Sequence, residues 1–141
     1  MTTNADRLLE IGKLYCDRGD YTLALPNLQQ ASSQFLLDKN YNSYLRCLQL
    51  ILRIHAERDE FDKITSIKES LHDLVIRENI ELNSKTYYTL GVCAIFKGQI
   101  ESAIDFFRRA LELGLKGNNQ EDMCYAILGL SISYRHQKKY E

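Results

Sequence analysis

An excess of either charge is missing from this chain: 18 Lys and Arg stand against 19 Asp and Glu, for a net charge of -1. That balance excludes the electrostatic footprint of a nucleic-acid-binding protein or of one held on an anionic membrane. Long apolar runs are missing too. None approaches the ~18 residues of a membrane span, and the start Met1-Thr2-Thr3-Asn4-Ala5-Asp6 lacks the basic and apolar regions of a secretory signal. A cytoplasmic location is the expectation. The four cysteines, Cys16, Cys47, Cys93 and Cys124, form no C-x-x-C pair and stand at no metal-ligand spacing from a histidine, so they read as small apolar helix residues. No Gly-rich phosphate loop, paired-carboxylate cleft, Ser-His-Asp set or Cys-His set is visible. The expectation is a protein that is not an enzyme and holds no cofactor or metal.

What is present is a repeat. One column of small or aliphatic residues falls at Gly12, Leu52, Gly91 and Ser131, and a second, mostly aromatic, at Tyr21, Phe61, Ile100 and Tyr140. Both columns advance by 40, 39 and 40 positions, and two independent columns keeping one period make chance similarity an unsatisfactory explanation. The clearest copy reads Tyr87-x2-Leu90-Gly91-x2-Ala94, then Gly98-Gln99-Ile100-x2-Ala103-x3-Phe107-x2-Ala110. Two antiparallel helices would meet there, with Gly91 and Ala103 letting the backbones approach while Leu90 and Phe107 fill the seam.

This unit resembles a tetratricopeptide repeat, whose usual length is ~34 residues; the longer period points to the long-repeat branch. The resemblance implies an all-α fold: a right-handed superhelical array of antiparallel helix pairs, about three and a half repeats long. The repeats are read as residues 5–43, 45–82, 84–119 and a partial copy at 121–141 of a single domain. The last copy offers a first helix and no second, so the chain reads as the N-terminal part of a longer array.

In the first repeat Leu8, Ile11, Gly12 and Tyr15 form one helix face, Gly19 suits a left-handed stop and Asp20 a cap. Ala24, Leu28 and Ala31 take the small-large-small places of the second helix, where Pro26, the only proline, predicts a kink or a late start. The second repeat is degenerate. Tyr44, Leu48, Ile51, Leu52 and His55, then Phe61, Ile64, Ile67, Lys68 and Leu71, form its two faces, with His55 in a tyrosine column and so read as a packed side chain. Asn83 or Ser84 should cap the third repeat, and Ile127, Leu130 and Tyr134 should face the core of the last.

In the resembling family the first helix of each repeat lines a concave groove. Carried over by position, the groove holds Lys13, Arg46, Arg53 and Lys85 among charged residues, and Tyr88, Val92, Ile95, Phe96, Leu128 and Ile132 in a more apolar later half. The helix around Tyr88 is apolar on nearly every side, more than packing against neighbours consumes, which marks an interaction site. Relatives that clamp a chaperone's C-terminal carboxylate need polar residues where Leu9, Leu50 and Thr89 stand, which argues against that ligand. Lys13, Arg46, Arg53 and Lys85 are read instead as a graded contact for an acidic segment. The resemblance thus implies an adaptor that holds a protein or peptide, with a signalling component such as a small GTPase as the expected partner. The alternatives are a peptide-gated regulator, and a homodimer formed through the apolar groove.

Overall fold

The computed structural model describes residues 2–139, and among them every regular element is a helix. In chain order these are α1 (Asn4–Asp17), α2 (Tyr21–Leu37), α3 (Tyr41–Glu57), α4 (Phe61–Glu78), α5 (Ser84–Lys97), α6 (Ile100–Lys116) and α7 (Gln120–Lys139). The alternation of helix and short turn is that of a helical repeat. The chain divides between Ile54 and His55, inside α3, into two compact units.

A left-handed residue ends each of the first six helices. Gly19, Lys39, Asp59, Asn79, Gly98 and Asn118 all have positive φ and recur every 19 or 20 positions. In five of the six turns the next amide closes the same bond back over the helix end: Asp20 N–H to the Tyr15 carbonyl, and likewise Asn40 to Phe35, Glu60 to His55, Gln99 to Ala94 and Asn119 to Gly114, all at 2.8 to 2.9 Å. These are Schellman stops, which satisfy carbonyls that a helix end leaves unpaired. Only two of the six carry glycine, so the others hold a Cβ in a region it disfavours. Lys39→Gly is accordingly expected to raise stability by about 1 kcal/mol in urea unfolding. Gly19→Ala, with nothing within 4 Å of the added carbon, should lower it by a similar amount.

In the first unit α1 and α2 pack as a pair. A carbon added at Gly12 would lie 2.6 Å from the fully buried Leu28 and 3.5 Å from the Ala24 carbonyl, so the glycine is what lets the backbones close. The buried face of α1 is Ala5, Leu9 and Gly12, which corrects the expected one: Ile11 is exposed, and Leu8 and Tyr15 are half-buried. Thr3 caps α1, with Asp6 completing a capping box, and the bond from the Thr3 amide, then that from its hydroxyl, holds the Asp6 carboxyl below its usual range. Pro26 delays nothing, because α2 runs through it from Tyr21 with Ala24, Leu28 and Ala31 all buried. Asp20 sits at the N-cap of α2 without a side-chain capping bond. On α3 Cys47 is buried, and loss of solvent pushes its thiol up to about 12, which leaves it a small apolar residue.

The second unit is built around Phe107, which is fully buried. Its ring lies where two glycines admit it: a carbon added at Gly91 would come within 2.6 Å of the ring, and one at Gly129 within 2.5 Å. Helices α5 and α7 therefore close on α6 from two sides, with Ala94 and Ala103 completing the cluster. Asn83 caps α5 as expected, accepting from the Thr86 amide at 2.9 Å and the Thr86 hydroxyl at 2.6 Å. Ser84 donates to the Ala110 carbonyl at 2.8 Å and so pins α5 to α6. His55 is buried, with Nδ1 3.0 Å from a Glu60 oxygen; its hydrogen bond, followed by that of Lys63, lowers the Glu60 pKa. Ile64 and Leu71 are buried as expected, whereas Lys68 is exposed.

The last helix departs most from expectation. Ala126, Gly129 and Ser133 are its buried residues, while Ile127 and Tyr134 are exposed and Leu130 is half-buried. The residue that meets Phe107 is Gly129, and Ser131, in the expected column, faces solvent with its hydroxyl on the Ile127 carbonyl. The column assumed that α7 packs against a second helix of its own copy; it packs against α6 instead. Tyr140 and Glu141 lie outside the described residues.

Candidate functional site

Helices α5 and α7 both pack on α6 and touch one another. Their contacts show that they run the same way: Lys85 Nζ stands 3.5 Å from Glu121 at one level, and the rings of Tyr88 and Tyr125 lie 5.3 Å apart at the next. Parallel helices are what result when each antiparallel partner is the intervening α6. Each leaves apolar side chains open. Phe96 on α5 is 45% exposed, and Tyr125 and Leu128 on α7 are 45% and 51% exposed, well above what a packed seam leaves open.

The residues expected in the apolar half of the groove are not equally open. Tyr88 is half-buried, with its ring tilted at 46° to that of Phe107 and 5.6 Å from it. Val92 and Ile95 are half-buried as well and lean on the cluster of Ala94, Ala103 and Phe107. Ile132 is half-buried on α7. Part of the surplus apolarity of α5 is therefore consumed inside the unit, and Phe96 and Leu128 are the side chains that project from it. The ring contact of Tyr125 to Tyr88 places Tyr125 at the junction of the two helices.

The expected cations are distributed differently. Lys13 on α1 and Arg46 on α3 belong to the first unit, where Arg46 stands 3.8 Å from Glu10. Arg53 is half-buried on α3. Lys85 belongs to the second unit and already faces Glu121. Two of the four thus have a carboxylate of this chain beside them, and such exposed pairs contribute ~0–1 kcal/mol. The positions where a carboxylate clamp would need polar side chains are closed: Leu9 and Thr89 are buried and Leu50 is half-buried.

The cysteines divide by position. Cys47 and Cys93 are buried and Cys16 is intermediate, while Cys124 on α7 is exposed, in contrast to the apolar packing expected of it. No helix among the described residues is long and apolar enough to cross a membrane.

The family model described as Tetratricopeptide repeat matches residues 84–113, which span α5 and most of α6. Repeats of that family serve in protein–protein interaction. No curated protein and no solved structure matches the chain.

Proposed function

We propose, from the premise that this chain is a helical repeat protein of the tetratricopeptide type, that it is a non-catalytic adaptor holding a segment of another protein along the α5–α7 face. The observation that carries the reading is the exposure of Phe96 on α5 and of Tyr125 and Leu128 on α7, two helices that touch through Tyr88 and Tyr125. Exposed apolar side chains scattered singly mean little; gathered on one face they mark an interaction surface. Two parallel helices with apolar side chains left open suit the apolar stripe of an amphipathic helix or an extended peptide. Lys85 and Glu121 at one edge would orient that segment more than they would hold it. The resemblance to long-repeat relatives suggests a cytoplasmic signalling component, such as a small GTPase, as the partner.

The test uses the whole chain as bait beside a Phe96→Glu, Leu128→Glu variant. These two positions are chosen over Tyr88 because a carboxylate at Tyr88 would disturb the Phe107 cluster as well as the surface. With helicity unchanged, a protein retained by the first bait is expected to be lost, by at least about ten-fold in affinity, from the second. Equal capture by both baits would remove this face from the account.

A further inference from the structure

A second concavity lies in the same unit, between α4, α5 and α6. Lys68, Leu71, His72 and Val75 fall at i, i+3, i+4 and i+7 on α4 and make one helix face. That face looks into a cleft of about 300 Å3, closed on its other sides by Leu82, Tyr87, Leu90 and Phe106. Its origin is local. After the left-handed Lys39 the next helix starts at Tyr41, but after the left-handed Asn79 it starts only at Ser84. The turn that would have opened α5 is instead non-helical from Ile80 to Asn83, and Leu82 becomes a wall of the cleft. Val75, Leu82, Tyr87 and Phe106 are consequently left half-buried although their chemistry favours cover.

The polar side chains of the cleft are Lys68, His72 and the Tyr87 phenol, and none is acidic at neutral pH. Lys68 Nζ sits 5.4 Å above the Phe106 ring, and among the described residues it pairs with no carboxylate. His72 is the other ionisable base on the α4 wall, and no Asp or Glu lines the cleft. Beside the opposite wall the Arg109 guanidinium lies 5.8 Å from the Tyr87 ring centroid, but Glu112 occupies it at 3.0 Å. One ammonium without a counter-ion therefore stands beside an apolar cavity whose volume is at the lower end of small-molecule sites.

The geometry points to a binding site for a small amphipathic carboxylate, its hydrocarbon part against Leu71, Val75 and Leu82 and its carboxylate at Lys68. This site is separate from the α5–α7 face and does not depend on the adaptor reading.

The probes are octanoate, hexanoate and 1-octanol, titrated against the full chain while leucine and valine methyl resonances are followed. Octanoate is expected to shift Leu71, Val75, Leu82 and Leu90 together. It should bind about fifteen-fold more tightly than hexanoate, since each of its two extra methylenes contributes roughly four-fold when buried. Lys68→Gln should weaken octanoate about three-fold, the size of an exposed ion contact, and leave 1-octanol unchanged. Val75→Trp should abolish both by filling the cavity; Lys68→Gln, on an exposed side chain, keeps the test valid if that variant does not fold. The proposal is overturned if millimolar octanoate shifts none of these methyls. It is equally overturned if the shifts centre on Leu128, or if Lys68→Gln changes octanoate and 1-octanol binding alike.

Discussion

Phe107→Ala is expected to destabilise the unit from His55 onward by about 3–5 kcal/mol, the largest effect of any single truncation in it. Phe107 has no exposed surface and lies against both Gly91 and Gly129, so removing the ring leaves a void that α5, α6 and α7 would all have to move to fill. Helical backbones cannot follow a missing ring without giving up contacts elsewhere, which is why such cavities persist and cost more than the transfer of the lost atoms alone. Against a total stability of ~5–15 kcal/mol the loss is enough to leave part of the population unfolded. Urea unfolding followed by far-ultraviolet circular dichroism measures it. A change below about 1 kcal/mol would mean that the ring is not at the centre of this unit.

Overfilling the same place should be almost as damaging. Gly91→Val or Gly129→Val is expected to lower stability by about 2–3 kcal/mol, despite valine's modestly better helix propensity. The argument is one of relative size. Replacing glycine by a better helix former yields under ~1 kcal/mol, whereas the first added carbon alone would stand 2.5 to 2.6 Å from a ring that is buried on all sides. The ring has nowhere to turn, so the helices must separate. A double variant, Gly129→Val with Phe107→Leu, should recover part of the loss, because the smaller side chain vacates the space that the valine needs. Additive losses in that cycle would show that the two residues do not touch. Gly98 gives the contrast: nothing lies within 4 Å of its added carbon, and substitution there should cost only the left-handed backbone.

The features legible in the sequence are those with a local cause. Gly19 and Gly98 stop helices because a left-handed residue without a Cβ is easily formed, and Asn83 caps α5 because its carboxamide reaches an amide three residues on. Of the equivalent stops, Lys39 was silent, since a lysine does not announce a positive φ, whereas Asp59 and Asn118 are of the few other residue types that favour it. Pro26 shows the opposite failure. Its missing amide argues locally against an early start, but burial of Ala24, Leu28 and Ala31 holds α2 through it.

Helix faces were legible only to about one neighbouring row. On α1 the expected stripe and the observed one share Gly12, yet Leu9 is covered and Ile11 is not; periodicity defines how wide an apolar stripe is, while the neighbour that is actually present decides which edge it covers. The candidate site shows the same limit. Positions 88, 92, 95 and 96 could be placed on one helix, but their differing exposure depends on Phe107 reaching across from α6.

By itself, then, the sequence determined the helical class, the 40-residue period and the close approach at Gly12 and Gly91, because each follows from spacing along one chain. Only the tertiary structure decided that Gly91 and Gly129 share one ring, that Tyr88 meets Tyr125, and that Leu82 leaves its helix to wall a cleft. Those depend on which helix lies beside which, a relation between residues distant in sequence that no local periodicity encodes.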